Sequence, residues 1–327
     1  MADLFEKNFL IRAPKMDDLN VVVDMLLASD MDEWGEPDTS VEEVRSEWQG
    51  IGFNIETDAW VVMDSAGSIV GYAAVRDRGH ERIISLVKVH PNFRGQGIAT
   101  RLLELTEERA KQHIPLAQPD ARVTLSTHIS HVNEDAGRLL ASRDYKYVRS
   151  TWAMAIEMEK APQEPEWPEG VTLRPFIPGQ DDRAVFEAVD EAFADHWGHT
   201  PGNFERWKDY HLDREDFDPA LWFLAYSGDE IAGASLCGYY LGMGIVNTLG
   251  VRRPWRRKGL GMALLLYSFG EFYKRGNHKV VLGVDSQNLT GATRLYERAG
   301  MHIELQYDSY EKELRSGIEL STRSLTV

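Results

Sequence analysis

The chain has 327 residues, 43% of them hydrophobic, and sets 36 basic side chains against 52 acidic ones for a formal net charge of −16. That length is natural for two hydrophobic cores, and the apolar content excludes a disordered chain. A sequence pI near 5.1 excludes broad binding to nucleic acid or anionic lipid, which needs a basic face, and is compatible with cationic substrates.

The opening stretch MADLFEKNFLIRAP lacks the long apolar region of a signal peptide. No run approaches the roughly 20 apolar residues of a membrane helix, so a cytoplasmic protein without a membrane partner is expected. Further along, landmarks recur. Arg12 in FLIRAP returns as Arg174 in VTLRPF, 162 residues on, and Asp32–Gly35 (DEWG) returns as Asp195–Gly198 (DHWG), 163 on. Arg94, Gly97 and Ala99 of HPNFRGQGIATRLL return as Arg256, Gly259 and Gly261 at 162. Asn133 in HVNEDAGRLL matches Asn288 in SQNLTGATRLY at 155. Four landmarks in one order at nearly one spacing mark a tandem duplication. The stretch APQEPEWPEG (161–170), with three prolines and a final glycine, reads as a linker between domains 1–160 and 171–327.

The second copy shows its elements most clearly. VTLRPF is a short strand; QDDRAVFEAVDEAFADHW has acidic residues at its start and helical apolar spacing. LWFLAYSG and EIAGASLCGYYLG are strands around the turn SGDE, and GIVNTLGV is another strand. Gly259 to Tyr273 is an amphipathic helix, KVVLGV a buried strand, NLTGATRLYERAG a helix ending at Gly300, and MHIELQYDSYEKEL a final strand pair. The order β-α-α-β-β-β-α-β-α-β predicts an α/β fold with a mixed sheet. The single cysteine, Cys237, lies in an apolar strand and reads as a packed core thiol. The ten histidines show no metal-ligand spacing, so no metal is expected.

Chemistry concentrates where strand, loop and helix meet, at Val251 to Gly261. The first N–H groups of a helix have no internal partner, and the helix dipole adds partial positive charge there. Glycines let an anion approach that backbone. Arg256, Arg257 and Lys258 add charge around a cradle suited to phosphate or pyrophosphate. The plain alternative is a glycine-containing helix start with solvated arginines. The stretch is neither a phosphate loop of G-x-x-x-x-G-K-[ST] type nor a full G-x-G-x-x-G, since Leu264 stands at the third glycine.

The pattern V-x-x-P-x-R-x-x-G-x-G (Val251, Pro254, Arg256, Gly259, Gly261), followed by N-x-x-x-A-x-x-x-Y-x-x-x-G (Asn288, Ala292, Tyr296, Gly300), resembles the GCN5-related N-acetyltransferase (GNAT) family. The first copy carries the first motif as VHPNFRGQGIA (Val89 to Ala99). The resemblance covers both halves and implies two GNAT domains, each a mixed, mostly antiparallel sheet flanked by helices. It implies acetyl-CoA, with pyrophosphate on the loop 256–262, including Leu260 and Met262. The pantetheine arm would lie along the strand at Leu249, Gly250 and Val251, and Asn288 and Ala292 would meet it from the other side. Tyr296 would protonate the leaving thiolate; the alternative for Tyr296 is an aromatic packed in the core. In the first copy the corresponding cofactor residues are Val87, Val89, Arg94, Gly95, Gln96, Gly97, Ile98 and Ala99, with Asn133 less secure.

The copies are unequal. Leu140, or Ala141 after a one-residue slip, stands opposite Tyr296, so no hydroxyl is present in the first copy. The expectation is that both domains hold CoA and only the second catalyses; the alternative is that the first cradle is merely a good helix start. Ile245 and Asn247 stand where related enzymes often carry a glutamate, which leaves Glu191, Asp195 and His196 as candidate bases, with His196 chosen. The substrate expected is a small, cationic primary amine, and the assembly a monomer or homodimer. The tandem arrangement is similar to mycothiol synthases. Two other readings stand beside this one. A non-catalytic acyl-CoA-binding protein would bind without turnover. A dinucleotide oxidoreductase would need the third glycine and an alternating parallel βαβ order.

Overall fold

The computed structural model describes residues 5, 7–214, 216–288 and 291–323. In chain order the first copy contains β1 (Phe9–Arg12), α1 (Leu19–Glu33), α2 (Val41–Gln49), α3 (Ile55–Asp58), β2 (Ala59–Asp64), β3 (Ile69–Asp77), β4 (Arg82–Val89), α4 (Ile98–Lys111), β5 (Val123–Ser130), α5 (Glu134–Ser142) and β6 (Lys146–Glu157). The second contains β7 (Val171–Pro175), α6 (Asp182–Phe193), α7 (Phe204–His211), β8 (Trp222–Ser227), β9 (Glu230–Tyr240), β10 (Met243–Val251), α8 (Leu260–Lys274), β11 (Lys279–Asp285), α9 (Ala292–Arg298) and β12 (His302–Arg315). The order of the second copy follows the sequence expectation, except that its end is one long strand instead of a strand pair. Residues 302–315 contain no glycine or proline to make the turn.

The two compact units are discontinuous. One is Met1–Ser150 with Tyr307–Leu320; the other is Thr151–Gln306 with Ser321–Val327. In the first unit β1 to β4 form an antiparallel meander, β4 runs parallel to β5, and residues 307–315 of β12 close the sheet antiparallel to β5. In the second unit β7 to β10 repeat the meander, β10 runs parallel to β11, and residues 151–157 of β6 pair antiparallel with β11. Each copy thus lends the last strand of the other copy's unit, where a cut at 161–170 keeps each copy whole.

The linker stretch has no regular secondary structure, but it is packed. The Trp167 ring meets Tyr267 of α8 edge-on at 5.9 Å between centroids. α8 buries Leu260, Leu264, Leu265, Phe269 and Phe272 against the second sheet, together with Met154 of β6. Phe272 lies flat on Gly244 of β10, where a Cβ would stand 2.7 Å from the ring, so only glycine fits. Cys237 is buried, and desolvation pushes its thiol up to about 11, as a core thiol requires. Among the described residues, no helix is long and apolar enough to cross a membrane.

Candidate active site

The site of the second unit begins with a defect in pairing. β10 and β11 are in parallel register only at Gly244↔Val280 and Ile245↔Val281. Beyond that, Val246 to Val251 have no partner on β11 and follow β9 alone. The register against β9 slips by one between Val246 and Thr248, leaving Asn247 as a bulge. A bulge bends its strand and raises the local twist, which opens a cleft between β10 and β11. In the first unit β4 also leaves β5 after Ser85, but its register with β3 runs without a slip from Ile83 to Val89.

At the mouth of that cleft the chain turns into α8. The first helical hydrogen bond is donated by Ala263 N–H to the Gly259 carbonyl at 3.0 Å. Leu260, Gly261 and Met262 therefore have N–H groups with no helical partner, and no side chain caps them. Gly259 sits at φ 88° and Arg257 at φ 62°. The first copy places Gly95 and Gly97 in the same conformation, at 76° and 84°. A left-handed non-glycine residue carries strain, and strain of this kind gathers at ligand sites. Arg257→Gly is therefore expected to stabilise the fold by about 0.5–1 kcal/mol, the strain relief less the entropy of glycine. Calorimetry of the variant beside wild type checks this. Arg257 and Lys258 are exposed at the loop. Lys258 also borders a cavity of about 900 Å³ walled by the linker stretch, Met262, Leu266 and Arg298.

Arg256 differs from its neighbours. Its Nε donates to the Val251 carbonyl (3.0 Å), one terminal nitrogen to Asp195 (2.8 Å) and the other to the Ala192 carbonyl (2.9 Å). It is turned inward and holds the end of β10 against the end of α6, so the mobile cations of the cradle are Arg257 and Lys258. Asp195 also pairs with Arg253. Those two guanidinium groups hold its carboxyl down at about 2. Because the folded pKa lies below the ordinary 3.8, this contribution to stability is complete above that value and disappears as pH falls through about 2. Acid titration of wild type against Asp195→Asn should show the wild type losing more stability between pH 4 and 2. Glu191 accepts from Arg252 Nε at 2.7 Å.

His196 packs on Phe193 with ring centroids 4.3 Å apart. Burial first, and Arg256 second, hold its imidazole below the usual range, with Asp285 and Asp195 opposing. Trp197 lies under the Arg323 guanidinium, 4.3 Å from the ring centre. Tyr296 is the one buried residue of α9, and it joins Leu249, Val251, Leu260, Met262 and Ala292 in a single apolar cluster. Its hydroxyl hydrogen-bonds to no described residue, and burial pushes the phenol up to about 12. Asn288 lies on the loop between β11 and α9, its N–H bonded to the Asp285 carbonyl at 3.0 Å.

The ends of α5 and α9 place the copies in register. The Leu140 carbonyl accepts from Arg143 and Tyr145, as the Tyr296 carbonyl accepts from Ala299 and Met301. Leu140 is therefore the counterpart of Tyr296, without the slip to Ala141. Asn133 holds the position of Asn288, each N–H bonded at 3.0 Å to the carbonyl of the last residue of the preceding strand, Ser130 or Asp285, but its side chain caps α5 by accepting from Ala136 N–H, while α9 is entered through Gly291. Asn133 also donates to Glu33 at 2.7 Å. Glu33, the residue matching His196, accepts as well from Lys88 of β4 (2.8 Å) and Arg94 (3.4 Å). Its carboxylate thus ties β4 to the loop after β5 and engages two residues expected to bind cofactor. Val87, Val89 and the loop Gly95 to Ala99 keep the positions expected of them at the end of β4 and the start of α4. The glutamate was missed because nothing in DEWG marks its direction.

The model of the family described as Acetyltransferase (GNAT) family matches residues 23–136 and again 183–301. The chain therefore belongs to the GNAT acetyltransferases, and it carries two such regions. It is 33% identical over 242 residues to a mycothiol acetyltransferase of Pseudarthrobacter chlorophenolicus, covering 71% of each chain. It is 31% identical over 256 residues to that of Saccharopolyspora erythraea, covering 74% of this chain and 81% of the other. Among solved structures, a GCN5-related N-acetyltransferase from Sphaerobacter thermophilus is 40% identical with TM-score 0.83, covering 97% and 98%. A tandem GNAT protein of the clavulanic acid pathway shares the fold at TM-score 0.72 and 13% identity, covering 95% and 100%.

Proposed function

We propose that this acetyltransferase transfers the acetyl group of acetyl-CoA to the primary amine of a small, cationic acceptor within a ternary complex, and that the second unit carries the chemistry. The observation that bears most weight is Tyr296: a buried phenol without a hydrogen-bond partner among the described residues, facing the apolar cluster below the cleft, where the first copy has Leu140. The cleft suits the cofactor: a bulged, half-unpaired β10 and a left-handed loop with orphan N–H groups accept an extended amide chain and a pyrophosphate.

Acetyl-CoA supplies an acyl group activated as a thioester. The N–H groups of residues 260–262 with Arg257 and Lys258 hold its anionic part; the free edge of β10 from Leu249 to Val251 and the Asn288 loop orient its arm. His196, kept neutral, takes the proton of the acceptor amine, directly or through a water. Asp195 and Glu191 are less suited to that task, being held by arginines. Tyr296 keeps its proton at every working pH and lends it to the departing sulfur. In the first unit Gly95 and Gln96 stand in place of the cradle cations Arg257 and Lys258, and Glu33 holds Asn133, so one cofactor per chain is expected instead of two. The acceptor of the relatives named mycothiol acetyltransferase is one candidate substrate.

Calorimetric titration of acetyl-CoA tests this reading together with an assay of thiol release over a panel of amines. The expected result is one site, weakened at least tenfold by the double variant Arg257→Glu, Lys258→Glu and unmoved by Arg94→Glu, with turnover. Binding without turnover on any amine would favour the non-catalytic reading, and no binding would overturn both.

A further inference from the structure

A second constellation lies in the first unit, away from the cofactor loop. Asp77 ends β3, His80 stands in the turn before β4, and His113 follows α4. The turn carries two consecutive left-handed residues, Gly79 at φ 95° and His80 at φ 67°. That conformation is strained for histidine, and the His80 N–H is bonded to the Asp77 carboxylate. The result aims the His80 ring inward. Its Nδ1 lies 3.0 Å from Asp77 Oδ2 and 3.1 Å from His113 Nδ1. One ligand atom from each of the three residues falls within 4.8 Å of the others.

A ring nitrogen carries either one proton or one lone pair, directed along one line in the ring plane. His80 Nδ1 faces a carboxylate oxygen and a second imidazole nitrogen at once. If it bears a proton, that proton satisfies one neighbour and leaves the other lone pair facing the same nitrogen. If it bears a lone pair, it faces the carboxylate lone pairs. A cation between the three atoms satisfies all of them together. The spacing also suits one: two nitrogen donors about 2.0–2.1 Å from a tetrahedral zinc stand about 3.3–3.4 Å apart. Asp77 and His113 are largely buried whereas the His80 side chain is 36% exposed, so the third ligand lies at the solvent edge, where a water can complete the set.

We propose that Asp77, His80 and His113 bind a divalent late first-row transition metal of the zinc class, through two imidazole Nδ1 atoms and one carboxylate oxygen, with water at the fourth position. Imidazole with carboxylate selects this group of metals over calcium or magnesium. The ion ties the β3–β4 turn to the end of α4, and its binding stabilises the first unit.

The test uses the full chain, stripped with a chelator and dialysed. Zinc chloride is titrated calorimetrically, and cobalt(II) is followed by visible absorption. The expected result is one equivalent per chain at micromolar or tighter affinity, visible bands of four-coordinate cobalt, and a rise in the first unit's melting temperature with zinc. His80→Ala, a substitution at the solvent edge, should weaken binding by more than the about 10–100-fold that loss of an outer partner costs. Asp77→Asn should also weaken it, and His131→Ala, at an exposed histidine elsewhere, should leave it unchanged. Should a variant fail to fold, the imidazole nitrogen shifts of the wild type decide, with Nδ1 of His80 and His113 moving on zinc addition. Binding only at millimolar zinc, an affinity equal in His80→Ala and wild type, or unmoved nitrogen shifts would each overturn the proposal.

Discussion

Replacing Tyr296 by phenylalanine lowers kcat by about 10²–10⁴-fold, the range of a lost general acid, and leaves acetyl-CoA affinity and folding stability close to wild type. The second half makes the experiment decisive. The Tyr296 hydroxyl has no partner among the described residues, so its removal orphans no buried group, and the ring stays in the apolar cluster with Leu260 and Ala292. Removing a hydroxyl that holds no partner leaves nothing unpaired and is close to neutral. A fall in kcat with an unchanged melting curve therefore belongs to chemistry. An unchanged kcat would reduce Tyr296 to a core aromatic and require another acid. A steady-state assay of thiol release, with calorimetry on the same samples, reads both.

Replacing Arg256 by methionine acts in the opposite way, on the fold. The change strips hydrogen bonds from two carbonyls, Val251 and Ala192, and one of two cationic partners from Asp195. Each orphaned buried group costs about 1–3 kcal/mol; with Arg256 partly open to water and Arg253 still on Asp195, about 2–4 kcal/mol is expected for the set. That corresponds to a fall of about 5–15 °C in the melting temperature of the second unit. Arg94→Met, at the matching position of the first copy, should cost under about 1 kcal/mol, because its pair with Asp32 is open to water and Glu33, its longer contact, keeps Lys88 and Asn133. Scanning calorimetry of the two variants gives the comparison. Equal losses would mean that Arg256 is no more built into the fold than Arg94.

The difference between those two arginines shows how far the sequence reaches. R-x-x-G-x-G and its earlier copy are equally legible, because the motif records a local demand: a strand end, left-handed turns and a helix start. The distant partners of the arginine come from the end of α6 and the turn after it in one copy and from α1 in the other, and no local pattern encodes them. The same holds for Asn133 and Asn288. They match in the alignment, yet one caps a helix and donates to Glu33, and the other stands three residues before a glycine entry. Glu33 and His196 occupy one position of the repeat and give it opposite characters. One is a carboxylate that holds three partners, the other an imidazole that burial keeps neutral.

By itself the sequence determined the duplication, the α/β order of the second copy, the position of the phosphate-type loop and the absence of a hydroxyl opposite Tyr296. Each of these rests on periodicity, turn chemistry or residue identity within a few residues, where local physics acts. Only the tertiary structure decided the exchange of the last strands, the bulge at Asn247 that opens β10 from β11, the inward turn of Arg256, and the meeting of Asp77 and His80 with His113. Those depend on which distant segments pair and pack. Such contacts are set by the balance of burial and hydrogen bonding over a whole unit, which no short window of sequence contains.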